Sequence, residues 1–343
     1  MAGKIVLNTL KWMVILLMGL TGIACWIIAF DHVDRPPTVP NDALRIATNP
    51  WPGSAHVFIA ENKGYFAKNG LKVHLRLTKS QDDASILFKN GEVDGLSDVF
   101  SNTILYGSEG VPTRVVYVND YSLSGDVIVG RPEISSLAEL KGRRVGFEAI
   151  NSFSHLYVLK ALETQGLDES HVRFEILSSQ DVLSALEKGT IDAGHTWEPT
   201  TSRALAKGYK ILSRAGDIPG IITDVYAFHD AIIKERPREI QAFVKSMVEA
   251  RNFATTHRKE AVAIMAQATG MNINEMDRGL EGIVPLDLPA NLIAMTPGED
   301  DRSLYHSGHS IIQFLLLRGQ LRRIPELNEL LDVQFVKALA NKE

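Results

Sequence analysis

Val73, Leu75 and Leu77 alternate with polar residues, and so do Val172, Phe174 and Ile176 about 99 positions further on. A period of two marks a half-buried strand. Each strand is followed by the same triplet, Ser80-Gln81-Asp82 in one place and Ser179-Gln180-Asp181 in the other. A serine there accepts a bond from a free backbone N–H and starts a helix. The next stretch carries leucines at helical spacing and stops at Gly91 or Gly189, residues suited to the left-handed position that closes a helix. A short strand with Val93-Asp94 or Ile191-Asp192 comes next. Upstream, LRIATN from Leu44 and RRVGFE from Arg143 read as strands leading into helices that close at Gly70-Leu71 and Gly166-Leu167. Each copy is predicted as a β-α-β-α-β unit, and the period is that of a domain, not of a solenoid.

Two such units predict an α/β fold of two Rossmann-like lobes with mixed, mostly parallel sheets and a cleft between them. Open α/β sheets bind ligands at the carboxyl ends of their strands. The chain is expected to cross between lobes near 124–126 and to return near 223–224. That assigns 43–125 and 225–343 to lobe 1 and 126–224 to lobe 2, with PREIQAFVKSMVEARNFATTH and AVAIMAQATG as helices of lobe 1.

Residues 12–30 form an uncharged apolar run, close to the roughly 20 residues a membrane-spanning helix needs. Lys4 and Lys11 precede it and Asp31 and Asp34 follow, which predicts a cytoplasmic N-terminus with the rest outside. Residues 1–30 are therefore expected to be a membrane anchor, with one transmembrane helix over 12–30 holding the protein on the periplasmic side of the inner membrane. Two alternatives deliver the same domain to the same side: a cleaved signal segment, or a lipoprotein attached through Cys25. Residues 31–42, with three prolines, read as an extended spacer.

Composition then narrows the chemistry. The chain has 343 residues, 45% hydrophobic and 22% charged, as ordinary globular proteins do. A net charge of -5 without a basic face argues against nucleic acid as a partner. Cys25 is the only cysteine, which excludes disulfide frameworks and a thiol nucleophile from the globular part. GxGxxG, Walker, GxSxG and HExxH signatures are absent, and His306 and His309 lack a third ligand in register. No catalytic residue, cofactor or metal is expected.

The ordered set WPGSAHVFIAENKGYFAKNGLKV, GEVDG, LAELKGRRVGFE and GTIDAGHTWEP resembles the nitrate/sulfonate/taurine-type periplasmic solute-binding proteins. The resemblance covers about 43–225 well and the C-terminal helices loosely. It implies a periplasmic-binding-protein-like fold whose two lobes close on a solute and present it to the permease of an ABC importer. A relative of the fold, the yeast-type pyrimidine synthase of thiamine biosynthesis, carries a cysteine-rich motif that this chain lacks. An enzyme of that kind, or a membrane-tethered sensor, is the rival reading.

Candidate ligand contacts follow from predicted strand ends. Trp51 follows the first strand, and Trp197 is its expected counterpart on the other lobe, so the two are expected to face each other as apolar walls across the cleft. Ser80, Asn151 and Ser152 precede helix starts, where hydroxyls and free N–H groups gather. Asp98 and Ser101 belong to the matching loop of lobe 1, and Ser122 lies just before the outward crossing. Asp98, Asp120, Glu148, Glu198 and Asp224, with Asp126 beside them, put acids at the predicted mouth. No arginine falls at a predicted strand-end loop, so an amine-bearing solute is better matched than a bare anion.

Overall fold

The computed structural model describes residues 42–341, whose strands are shared between two sheets. In chain order these are β1 (Leu44–Thr48), β2 (Val73–Leu77), β3 (Gly95–Val99) and β4 (Thr113–Ser122). Then come β5 (Val127–Gly130), β6 (Arg144–Phe147), β7 (Arg173–Ile176), β8 (Ala193–Thr196) and β9 (Lys210–Arg214), followed by β10 (Thr223–His229) and β11 (Ile283–Pro285). The first sheet has the order β11-β4-β10-β3-β1-β2 and the second β7-β6-β8-β5-β9. Without the short β11 the two share one topology: β2-β1-β3-β10-β4 superposes in order on β7-β6-β8-β5-β9.

Both sheets are mixed, as expected, but parallel pairing does not dominate. Four pairs are parallel (β1 with β2 and β3, β6 with β7 and β8) and five are antiparallel. The reason is the route of the chain. β5 and β10 are the strands entered directly after the chain changes sheet, and each runs against both of its neighbours. The outward crossing is pinned tightly: the N–H groups of Leu123, Ser124 and Gly125 all donate to the carbonyl of Gly282, at 3.0, 2.9 and 3.0 Å.

The duplication has a physical counterpart at the start of each first strand. Asp94 accepts from the backbone N–H of Arg45 at 2.8 Å and from its guanidinium, and Asp192 does the same for Arg144, with the N–H at 2.9 Å. The repeated aspartates thus tie the start of each first strand to the turn before the third. Gly91 and Gly189 adopt φ of 72° and 68°, the left-handed conformation in which a side chain is strained. The serines diverge. Ser80 caps the helix Gln81–Lys89 through the N–H of Asp83 at 3.1 Å. Ser179 caps nothing. It lies buried in a tight turn, and the helix starts only at Val182.

Edge strands β2 and β7 are largely exposed, which is why their alternation shows in the sequence. β3 and β5 are buried on both faces and read as continuous apolar or small runs. The helix Pro237–Thr256 covers the first sheet, with Phe243 stacked on Phe66 at 5.9 Å and edge-on to Tyr226 and Phe228. Among the described residues no helix is long and apolar enough to cross a membrane. The expected anchor at 12–30, Cys25 and all but the last residue of the spacer lie outside the described residues.

Candidate functional site

The first strand of the first sheet ends at Thr48 and passes into Asn49 and Trp51; β8 of the second ends at Thr196 and passes into Trp197. The two indoles meet at 6.2 Å between ring centroids with planes at 89°, an edge-to-face contact between loops of the two sheets. Phe153, at the start of the helix Phe153–Glu163, lies 6.0 Å from Trp197. All three rings are at most 4% exposed. The lobes also touch through polar groups. Asn102 accepts from the N–H of Phe153 at 2.8 Å, Gln180 donates to the carbonyl of Lys79 at 3.0 Å, and Arg203 donates to Glu275 at 2.9 Å.

Beside Trp51, two carboxyls face each other. Asp120 on β4 and Asp224 on β10 are direct partners in the antiparallel ladder, 0% and 6% exposed. Burial, and then the charge of Asp126, push the Asp120 carboxyl up to about 8, partly offset by the nearby Trp51 N–H. Burial, with Asp120, Asp126 and Asp98 nearby, raises Asp224 as well. A β-carbon added to Gly53 would meet Asp120 Oδ2 at 1.8 Å and Trp51 Nε1 at 2.7 Å, so indole and carboxylate converge on the bare face of this glycine. Neither group is aligned for a hydrogen bond. Trp51 Nε1, both Asp120 oxygens, Asp224 Oδ2, Asn49 Oδ1, Ser101 Oγ and Thr223 Oγ1 are all buried without a partner. Buried polar atoms ordinarily find partners, and each exception calls for one from an ordered water, an ion or a ligand.

A second part of the interface is a cavity of about 150 Å³, lined from one lobe by Gln81, Ser85, Lys89, Asn102 and Tyr106 and from the other by Glu148, Asn151, Ser152 and Phe153. Glu148 accepts weakly from the N–H of Ser179 at 3.4 Å, its other oxygen is unpartnered, and burial pushes it up to about 7. Among the described residues no cluster of three metal-ligating side chains occurs.

The family model described as NMT1/THI5 like matches residues 51–261, more than half of the chain and all of the duplicated region beyond β1. The chain belongs to the NMT1/THI5-like family. Relatives of this NMT1/THI5-like chain include the 4-amino-5-hydroxymethyl-2-methylpyrimidine phosphate synthase of Uromyces fabae, 24% identical over 56% of this chain and 60% of the relative. The taurine-binding periplasmic protein of Escherichia coli is 26% identical over 56% of the chain and 61% of its own length. The chain thus matches less than two thirds of either. In fold it is similar to the ligand-binding component of an ABC-type import system from Staphylococcus aureus, with a TM-score of 0.72, 16% identity, and coverage of 87% of this chain and 98% of that one. The architecture is periplasmic-binding-protein-like, and the resemblance to sulfonate- and taurine-type binding proteins read from the sequence holds.

The expected contacts fall into four groups in this NMT1/THI5-like structure. Trp51, Trp197, Asp120 and Asp224 surround or adjoin the meeting of the loops, Ser101 is buried with its hydroxyl unpartnered, and Glu148, Asn151 and Ser152 line the cavity. The rest have internal partners. Asp98 takes the N–H of Val99, the Asn102 amide and the Tyr106 hydroxyl, and burial pushes it up to about 7. Ser122 accepts from the N–H of Asp126, Glu198 accepts from Ser202, and Ser80 caps its helix. Sequence reasoning passed over Asn49 and Thr223. Each stands next to a residue it did select or one removed from it, and the strand-end rule applied one residue more widely would have reached them.

Asp126, His195 and Ser154 form a fully buried chain, with His195 Nε2 3.0 Å from Asp126 and Nδ1 2.7 Å from Ser154 Oγ. The order is that of a serine hydrolase. Ser154 Oγ, however, also accepts the N–H of Glu148 at 3.2 Å and is 0% exposed, so the chain ties β5, β8 and the helix Phe153–Glu163 together.

Proposed function

We propose that the chain is the extracytoplasmic binding component of an ABC-type importer, on the periplasmic side of the inner membrane, and that it closes two lobes on a small polar solute. The lobes are 43–125 with 225–343, and 126–224. The observation that carries this reading is the contact of Trp51 with Trp197 from opposite sheets, set among buried polar atoms without partners. A ligand touching both lobes stabilises closure by its differential affinity for the closed state. A thermal-shift screen of the full-length protein against sulfonates, amines, amino acids and pyrimidines tests it, since a ligand of the native state alone raises Tm. The expected hit also compacts the protein in small-angle scattering; a hit that leaves its dimensions unchanged counts against closure.

A second reading, an enzyme on the same fold, draws on the synthase relative and on Asp120, a buried acid poised near neutrality. Mass spectrometry of each hit after incubation separates the two: recovery of unaltered ligand supports binding, and turnover supports the enzyme.

A further inference from the structure

We propose that the solute is a small organic cation, held by the opposed carboxyls of Asp120 and Asp224 and walled by Trp51, Trp197 and Phe153. This rests on the solute-binding reading above and gives that site its substrate class. The first support is the polarity of the unpartnered atoms. Both oxygens of Asp120, Oδ2 of Asp224 and Oε2 of Glu148 are acceptors when ionised, and Trp51 Nε1 is the one obligate donor among these buried atoms of the acids and the indole. A donor-rich solute satisfies that set. A sulfonate, which only accepts, leaves the carboxylates bare and adds a like charge to them.

The second support is the missing counter-charge. Among the described residues neither Asp120 nor Asp224 forms an ion pair, the charges acting most strongly on them are each other, Asp126 and Asp98, and the nearby His56 reaches the Gly53 carbonyl, at 2.8 Å. Asp126 has its own basic partner in His195, and Lys89 at the rim of the neighbouring cavity faces Glu109 at 3.4 Å. A buried carboxyl pair without a cation either keeps a proton or receives a cation from outside. The third support is the wall. Indole faces attract ammonium groups through the negative face of the ring quadrupole, and both tryptophans come from the loops that close on the solute.

Calorimetry and thermal shift on the full-length protein with organic cations (choline, ethylammonium, guanidinium), with ethanesulfonate and with taurine decide the matter. At least one cation is expected to bind about tenfold tighter than ethanesulfonate or taurine. Asp120→Asn and Asp224→Asn, which keep the side-chain shape, are expected to erase that preference while circular dichroism stays native. Binding of ethanesulfonate or taurine with no response to any cation overturns the inference and leaves the solute-binding reading standing. Cation binding that survives both substitutions overturns the placement at Asp120 and Asp224. Silence from every compound, with unchanged scattering, overturns the inference and the solute-binding reading together.

Discussion

Asp120 and Asp224 are individually unremarkable acids, and their position opposite one another makes them costly. Burial and the neighbouring carboxyls raise the pKa of both, that of Asp120 to about 8. The consequence for stability has a definite sign. A native state with raised carboxyl pKa values binds more protons than the unfolded chain between about pH 4 and pH 8, so stability falls as pH rises through that window. Thermal melts of the ligand-free protein should therefore give a higher Tm at pH 5.5 than at pH 8. Asp120→Asn should flatten this slope and raise Tm at pH 8 by a few degrees, a gain on the order of 1 kcal/mol; a slope unchanged in the variant would place the titrating group elsewhere. Trp51→Ala and Trp197→Ala each remove an edge-to-face contact worth about 0.5–1.5 kcal/mol beyond burial. Combined, they should abolish the ligand-induced rise in Tm, and a rise that survives moves the pocket away from these loops. That both tryptophans, Asp120 and Asp224 lie at or near strand ends was readable from residue types and pattern; their contact with a ligand is the proposal tested above. The opposition of Asp120 and Asp224 was not readable, because it depends on pairing strands far apart in the chain. For Asp98 and Ser122 the sequence could not reveal that neighbouring backbone and side chains already occupy them.

Elements show where periodicity speaks and where it is silent. The edge strands β2 and β7 alternate because one face meets water, and they carried the duplication into view. β11 is three residues long and gives no pattern at all. The triplet Ser-Gln-Asp appears twice, but only Ser80 became a cap; in the second copy Ser178 bonds Asp181 at 2.8 Å and the helix begins later. Three substitutions separate the loops from the strand starts. Gly53→Ala drives a methyl into the Asp120 carboxylate at 1.8 Å, and this overpacking should cost about 1–3 kcal/mol together with most of the binding. Calorimetry and melting on that variant measure both losses. Asp94→Ala and Asp192→Ala release matching arginine ties at the strand starts. Each should lower stability by about 2 kcal/mol in denaturant titrations with affinity unchanged, and a loss of affinity would mean that these ties also set the loops.

For the whole molecule, the two proposed lobes are joined by bonds that include Asn102 to Phe153, Gln180 to Lys79, Arg203 to Glu275 and Arg318 to Glu169. Removing one that lies off the tryptophan contact should weaken affinity by shifting the population of closed protein. Arg203→Ala is expected to increase the radius of gyration of the ligand-free protein and to raise Kd severalfold, with the enthalpy of the contact itself preserved. Equal radii in variant and parent would show that this ion pair does not hold the lobes. The route of the chain has one more effect. β5 to β9 are complete within one unbroken stretch, whereas the first sheet lacks the strand between β3 and β4 until β10 is made. A ribosome therefore releases the material for the later-encoded sheet in full while the earlier one still waits for its middle, so the half that starts first is the half that finishes last.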